Sequence, residues 1–161
     1  MIVEYTGKVF GAPRFTMSTD TLFTGPHTVE LPQWISPAPF EVCLRMNIMR
    51  AEAGESTLTM PFAYELSQGV GLMHGGALVS LADTACCLAI KSVLPENVHF
   101  ATIEMSSKFL YPVTKGIVRA EARVVHREDR ILDTEAEIYN DENRKVLHFA
   151  ARFKVARKSI L

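Results

Sequence analysis

The stretch GVGLMHGGALVSLADTACCLAI, residues 69–90, decides how this chain folds. It opens with a glycine-rich loop and a His-Gly-Gly at 74–76, and the only charged residue in the apolar run that follows is Asp83. A helix that is apolar around most of its circumference is expected to be buried on all sides. The stretch therefore predicts one buried helix over residues 75–93, ended by Pro95, with the rest of the chain folded around it.

The segments that flank this helix alternate apolar and polar residues, as half-buried β-strands do. Two strands are predicted before the helix and four after it, over residues 41–50, 56–62, 100–110, 116–126, 131–140 and 144–155. Short turns join the last three strands, so we expect these to be antiparallel neighbours. One long helix against one antiparallel sheet is an α+β architecture, and a sheet that curls around the helix would bury it.

Residues 1–39 differ from the rest of the chain because they contain five of its eight prolines. Proline-rich composition favours turns over regular structure. We therefore predict an N-terminal arm over residues 1–39, with one short strand over residues 2–10. Residues 40–161 have the length of a single ordinary domain.

Composition argues against several kinds of partner. The formal net charge is −1, whereas nucleic-acid-binding domains are usually basic, so no nucleic acid is expected. The three cysteines lack metal-ligand spacing, which indicates reduced thiols, no metal and a reducing compartment. No charge-free apolar run reaches about 18 residues, and the N-terminus has no signal-peptide pattern. We therefore expect a cytoplasmic protein without a membrane segment.

Asp83 is unexpected in the middle of an apolar helix. An ionised carboxylate is costly in an apolar interior unless it is paired or hydrogen-bonded, and aspartate is a poor helix-interior residue. One interpretation is a structural polar residue at a bend or a subunit contact, satisfied by Ser80 or Thr84. The other is a functional carboxylate, because buried ionisable groups concentrate at functional sites.

The His-Gly-Gly stands at the predicted helix start, where the first N–H groups lack intrahelical partners and the helix dipole is positive. One interpretation is a tight loop of the kind that glycine permits. The other is an oxyanion site, because a glycine lets a carbonyl oxygen approach the N–H donors closely.

Gly75 and Asp83 are eight residues apart, which is about 12 Å along a helix axis. An attacking group must come within about 3.5 Å of a carbonyl carbon, so these two residues of one chain cannot act on the same carbonyl. Either they are unrelated or the site is built from two chains. In a two-fold dimer with antiparallel helices, Gly75 of one subunit would face Asp83 of the other.

Several motifs together resemble the hotdog-fold acyl-CoA thioesterases, in particular the phenylacetate-degradation and hydroxybenzoyl-CoA thioesterase groups. Within residues 40–156 they are Gln68 in SQGVGLMHGG, His74-Gly75-Gly76, Asp83 in SLADTA, and the following ATIEMSSKFLYPVTKG. The resemblance implies a hotdog fold, in which a curved antiparallel sheet wraps around one long central helix.

The same resemblance implies a role for each site residue. The Gly75 N–H binds the thioester carbonyl, and Asp83 of the opposite subunit is the nucleophile or the general base. Gln68 helps to place the attacking water or the thioester. His74 shapes the loop, and Thr102 stands beside the water.

The sequence departs from its relatives where coenzyme A contacts are expected. Tyr111-Pro112 stands where relatives often have a basic residue before the proline, and Glu128-Asp129 stands where they commonly have a glycine turn. Aspartate tolerates a left-handed turn, so the fold is expected to survive. The candidate contacts for coenzyme A, three by charge and one at the helix start, are Arg127, Arg130, Lys154 and Gly76.

These features predict a hydrolase that converts acyl-CoA and water into a carboxylate and coenzyme A, with no cofactor besides the coenzyme A of the substrate. A homodimer follows from the shared site, and a dimer of dimers, a homotetramer, is expected from the resemblance. One alternative is a hydratase or dehydratase of acyl thioesters, which uses a differently arranged His/acid pair. Another is a non-catalytic acyl-CoA-binding domain, which usually needs a fused partner domain.

Overall fold

The computed structural model describes residues 25 and 27–157. From Leu31 onward the described residues belong to one compact unit. The strand predicted over residues 2–10 lies outside the described residues, and the boundary predicted between residues 39 and 40 stays a prediction.

The unit contains one long helix and six strands. The helices in the described residues are α1 (Pro39–Cys43) and α2 (Gly75–Lys91), and a 3-10 turn spans Tyr64–Leu66. The strands are β1 (Asn47–Glu52), β2 (Glu55–Pro61), β3 (Phe100–Phe109), β4 (Ile117–Glu128), β5 (Ile131–Tyr139) and β6 (Lys145–Val155). They form one antiparallel sheet in the order β1-β2-β4-β5-β6-β3, which confirms the predicted α+β architecture.

The core lies between α2 and one face of the curved sheet. Alternate residues of β5 are buried, and the same alternation on β6 turns Phe149 and Phe153 toward the helix, both fully buried. From α2, Leu81 and Ala85 reach this layer and are also fully buried. Burying one large apolar side chain contributes about 1.5–3 kcal/mol, so this single layer accounts for much of the stability of the fold.

The prediction that α2 is buried on all sides is wrong. The sheet covers α2 from β2, β4, β5 and β6, which leaves one line of partly or fully exposed residues along its remaining side. We call this line the open stripe, and its members, three or four residues apart, are Gly76, Ser80, Asp83, Cys87 and Lys91. The carboxylate of Asp83 is therefore only half-buried in one chain.

The strand predicted over residues 41–50 is half wrong, because β1 begins only at Asn47. The preceding residues form the short helix α1, which has Pro39 in its first turn. The Ala38 N–H donates to the Glu41 carboxylate at 3.0 Å, and Arg45, at φ 57°, turns the chain into the strand. A helix of five residues is too short for its 3.6-residue period to be told from an alternation of two.

The turn between β4 and β5 behaves as the sequence predicts. Asp129 adopts φ 49°, a left-handed conformation that aspartate tolerates. The two strands pair on either side of it, with Glu128 opposite Ile131.

Strand β3 forms one edge of the sheet and pairs with β6. Thr102, Met105 and Phe109 lie opposite the β6 residues Phe153, Ala151 and Leu147, which are buried. Because directly opposed residues share a face of the sheet, these three β3 side chains face the α2 side. Met105 and Phe109 nevertheless stay about half exposed, at 48% and 54%.

Candidate active site

The His-Gly-Gly caps the start of α2. His74 is the N-cap residue, and the Gly76 N–H donates to its Nδ1 at 2.9 Å. Because Nδ1 accepts this hydrogen bond, the ring proton belongs on Nε2. The His74 carbonyl accepts from the Ala77 N–H at 3.0 Å. The Gly75 N–H has no acceptor among the residues that the structure describes, which leaves it available to an incoming oxygen.

Each glycine of the motif is explained by a neighbouring ring. A Cβ on Gly75 would lie 3.1 Å from Cε1 and Cζ of Phe109, and a Cβ on Gly76 would lie 2.9 Å from the Nδ1 of His74. Such distances are shorter than ordinary van der Waals contact. The glycines therefore let the helix start pack directly against Phe109 on one side and its own capping imidazole on the other.

A tight loop holds Gln68 beside the helix start. The Gln68 N–H donates to the Leu72 carbonyl and the Gly71 N–H donates to the Gln68 carbonyl, both at 2.8 Å. Gly71 adopts φ 82°, a conformation that strongly favours glycine. The loop then returns into the cap, where the His74 N–H donates to the Leu66 carbonyl at 2.7 Å.

One pocket joins three of the predicted site residues, Gln68, His74 and Gly75. Apolar and aromatic side chains form most of its remaining lining, which consists of Leu72, Met73, Leu78, Phe109, Leu110, Tyr111, Pro112 and Val113. Phe109 was missed in the sequence because it looks like an ordinary strand residue, and Tyr111 was noted only as a departure from the basic residue of relatives. The guanidinium of Arg144 lies 4.6 Å from the centre of the Tyr111 ring, so a cation borders this wall.

Asp83 is held by a residue of the edge strand. The Thr102 hydroxyl donates to Asp83 Oδ1 at 3.1 Å, whereas the Ser80 hydroxyl donates to the Gly76 carbonyl at 2.8 Å. The partner of Asp83 is thus Thr102 rather than Ser80. Burial raises the pKa of the Asp83 carboxyl, and the hydrogen bond from Thr102 offsets part of that rise. A carboxylate with a raised pKa and one fixed oxygen is suited to take up a proton.

One chain does not bring the two halves of the predicted site together. Gly75 lines the pocket with Gln68 and His74, whereas Asp83 and Thr102 do not. The two halves are separated by the eight-residue interval along α2, about 12 Å of helix. The site shared by two chains therefore stays a prediction.

The predicted coenzyme A contacts lie apart from this pocket. Arg127 is opposite Leu132, and Lys154 is opposite Ile131, close to the β4–β5 turn. Arg130 donates from Nη1 to the Val155 carbonyl at 3.0 Å, so part of its guanidinium is already used. The Gly76 N–H is engaged by His74. None of these four residues lines the pocket of Gly75 in the same chain.

The two cysteines of α2 are not placed to act as nucleophiles. Burial raises the pKa of Cys86 to about 12, and burial also raises the pKa of Cys87, with the Asp83 charge adding to the rise. Both thiols are therefore neutral near pH 7. In the described part of the chain, no group of three or more His, Cys, Asp or Glu side chains could hold a metal ion. No helix in that part is long and apolar enough to cross a membrane.

The curved six-stranded antiparallel sheet around one central helix is a hotdog fold. The sequence profile of the thioesterase superfamily matches residues 70–147, which contain the helix start, Asp83 and Thr102.

Two relatives carry names that agree with this match. The proofreading thioesterase EntH of Klebsiella pneumoniae is 31% identical over 96 residues, covering 60% of this chain and 70% of that protein. The 1,4-dihydroxy-2-naphthoyl-CoA hydrolase of Listeria monocytogenes is 29% identical over 82 residues, covering 50% of this chain and 66% of that protein.

A solved thioesterase structure from Haemophilus influenzae superposes with a TM-score of 0.69 at 26% identity, over 73% of this chain and 82% of that one. The chain belongs to the thioesterase superfamily and is a thioester hydrolase.

Proposed function

We propose that the chain hydrolyses acyl-CoA thioesters at two equivalent sites, each shared by two copies of the chain. One observation carries the proposal. The free Gly75 N–H and the Asp83 carboxylate lie about 12 Å apart along one helix, and each is held in place by its own neighbours. The name of the Listeria relative, a CoA thioester hydrolase, supports coenzyme A as the leaving group.

The Gly75 half-site stabilises negative charge on the thioester oxygen. A backbone N–H at a helix start donates to that oxygen and adds the positive end of the helix dipole. Because the donor belongs to the backbone and its neighbour His74 is fixed by the cap, it needs no reorganisation during the reaction. The apolar lining of the pocket keeps bulk water away from this hydrogen bond.

The Asp83 half-site supplies the attacking group. In one route the carboxylate removes a proton from water, the hydroxide adds to the carbonyl carbon, and the C–S bond breaks as the proton passes to sulfur. In the other route Asp83 itself adds to the carbonyl carbon and expels the thiolate, and water then hydrolyses the mixed anhydride. Both routes give one carboxylic acid and one coenzyme A. In either route Gln68, which lines the Gly75 pocket, and Thr102, which contacts Asp83, would orient the water or the thioester.

Antiparallel pairing of α2 with the α2 of a second copy would bring each Gly75 to the other chain's Asp83. The edge strand β3 supports this arrangement because it carries half-exposed apolar side chains on the α2 side, among them Met105 and Phe109. Among the described residues, the outer edge of the ten-residue strand β3 has no partner strand, which leaves it open to pairing with another strand. Association of two such dimers is a further proposal, and Arg127, Arg130 and Lys154 remain the proposed phosphate contacts.

A matched pair of substitutions tests the oxyanion donor. Gly75→Pro removes the N–H at the first helical position, where proline is tolerated, and His74 already has the extended conformation that a following proline requires, at φ −64° and ψ 133°. Gly75→Ala adds the same Cβ against Phe109 but keeps the donor. We expect thiol release from acyl-CoA to fall about 100-fold further in Gly75→Pro than in Gly75→Ala.

Mixing two inactive variants tests the shared site. Gly75→Pro and Asp83→Asn, coexpressed with different tags, would form hybrid dimers in which one of the two sites is intact. A random mixture contains hybrids as half of its dimers, so about a quarter of the wild-type activity should return. If purified hybrids release no more thiol than the parent variants, the shared site is wrong. Single turnover in labelled water then separates the two routes, because label enters Asp83 only through the anhydride.

A further inference from the structure

We propose that residues 31–44, which we call the strap, close one end of the acyl site and limit the length of the acyl group that it accepts. The proposal rests on the proposed function, because it places the thioester carbonyl at Asp83. It assigns to Trp34 a role in substrate selection.

Three contacts between two residues fix the strap to the last turn of α2. Trp34 Nε1 donates to the Lys91 carbonyl at 3.2 Å, and Lys91 Nζ donates to the Trp34 carbonyl at 3.1 Å. The same ammonium lies 4.7 Å from the centre of the Trp34 ring. A cation over an indole face is attracted by it, and the reciprocal hydrogen bonds fix the orientation of the ring.

The strap is also anchored on the C-terminal side of Trp34. Ile35 and Leu44 pack against the hydrophobic core. Between them, α1 is fixed at its start by the hydrogen bond from Ala38 to Glu41. Trp34 is therefore held by packing and hydrogen bonds from its own segment and from α2.

Along the open stripe of one chain, only one of the two directions from Asp83 suits an apolar acyl group. From Asp83 toward the start of α2, the next stripe residues are Ser80 and Gly76, which are polar or bare backbone. In the other direction the next stripe residue, one turn away, is Cys87. Burial raises the pKa of its thiol and so keeps the thiol neutral. A hydrocarbon chain is better accommodated on the neutral thiol side, because it removes no hydrogen-bonding group from water there.

An acyl group that extends past Cys87 meets the strap at Lys91. Asp83 and Lys91 are eight residues apart, about 12 Å of helix. Lys91 is turned onto Trp34 by its ammonium contacts. The end of the stripe is therefore formed by the Trp34 indole, with the Lys91 ammonium held against its face.

Acyl-CoA substrates of increasing chain length test the proposal, with kcat/KM measured by thiol release. For the wild type we expect kcat/KM to rise with length and then fall once the acyl group reaches Trp34. Each buried methylene changes kcat/KM by about four-fold. In Trp34→Ala, the ratio of kcat/KM for an acyl group beyond the wild-type optimum to that for a short one should rise at least ten-fold, the gain from about two methylenes.

Two further variants keep the test decisive if Trp34→Ala folds poorly. Lys91→Met removes the ammonium contacts but keeps an apolar stem, and it should raise the same ratio. Trp34→Phe keeps an aromatic wall and should stay closer to the wild type. Val125→Ala, a change at a half-exposed residue of β4, is the matched control and should leave the ratio unchanged.

A purely structural strap would lower kcat/KM for short and long substrates equally, and that result in the folded variants would overturn the proposal. A ratio within two-fold of the wild type in both Trp34→Ala and Lys91→Met would also overturn it. If the wild type releases thiol from no acyl-CoA of the series, the proposed function fails and the role of the strap fails with it. A length profile in the wild type that Trp34→Ala does not shift contradicts the strap alone.

Discussion

Asp83 combines two properties that oppose each other. Burial disfavours its charged form, whereas the hydrogen bond from Thr102 favours it. The balance leaves the pKa raised, so the carboxylate is a stronger base than an exposed aspartate but is expensive to keep ionised. A residue that lowers stability and still occupies the middle of the longest helix is better explained by chemistry than by packing.

Asp83→Asn should separate activity from stability. Asparagine retains an acceptor for the Thr102 hydroxyl but cannot take a proton, so we expect kcat to fall about 10²–10⁴-fold. Because the folded-state pKa of Asp83 is raised, the folded chain binds a proton more strongly than the unfolded chain does. The ionised Asp83 carboxylate therefore lowers the free energy of unfolding by its full amount above the folded-state pKa. This effect disappears as the pH falls toward the pKa of aspartate in the unfolded chain, about 3.9.

Urea unfolding of the wild type and of Asp83→Asn at several pH values checks this sign. The variant should be the more stable protein at pH 7, and the difference should shrink as the pH falls. A variant that is less stable at pH 7 would show that the ionised carboxylate makes a favourable contact.

Thr102 should set the acid limb of the pH profile. Thr102→Val removes the hydrogen bond that lowers the pKa of Asp83, so the midpoint at which activity rises with pH should move upward. Thr102→Ser keeps the hydroxyl and should restore the wild-type midpoint. The profile of kcat/KM against pH measures both, and a midpoint unchanged in Thr102→Val would remove Thr102 from the site.

The start of α2 shows how one element serves structure and chemistry together. His74 fills the N-cap with its imidazole and satisfies the Gly76 N–H, which leaves the Gly75 N–H free for an oxygen. One of the first N–H groups of the helix therefore stabilises the helix start, and another is available for catalysis. A more complete cap, which also occupied the Gly75 N–H, would remove the proposed oxyanion donor.

His74→Ala should lower the free energy of unfolding by about 0.5–2 kcal/mol, the usual effect of losing an N-cap side chain. His74→Asn places another good capping residue there and should recover most of that loss, as urea unfolding would show. An asparagine variant that is as unstable as the alanine variant would argue that the imidazole acts through the pocket rather than through the cap.

The fold could be predicted largely from periodicity, whereas the site contacts could not. Alternating strands and one apolar helix are local signals, and β2 to β6 appear close to their predicted positions. The helix α1 was predicted as strand because five residues carry too little periodicity. Phe109 contacts Gly75 across a sequence separation of 34 positions, and Trp34 contacts Lys91 across a separation of 57 positions. No local pattern in the sequence reveals contacts of that kind.

The whole sheet has two different edges. Strand β1 is the outer edge beside β2, and β3 is the edge beside β6. Two predicted site elements depend on β3, because it supplies Thr102 to Asp83 and Phe109 to Gly75. Association along β3 would therefore order both halves of the site at once, so assembly and catalysis are expected to be lost together.

Met105→Glu tests this dependence by placing a carboxylate on the apolar side of β3. We expect the dimer to dissociate at concentrations where the wild type does not, and thiol release to fall at least ten-fold, because a buried unpaired charge opposes association. Val125→Glu adds the same charge to β4 and should leave both unchanged. Sedimentation and thiol release measured on the same samples test whether assembly and activity are lost together. A monomeric Met105→Glu with full activity would contradict it.

The interval between Gly75 and Asp83 also has a consequence for how turnover responds to expression level. A site that needs one group from each of two chains obeys the law of mass action. When most chains are monomeric, total turnover rises with the square of the chain concentration, and it becomes proportional to concentration only when dimers predominate. Modest synthesis or degradation of the chain would then switch hydrolysis on or off more sharply than it changes the amount of protein.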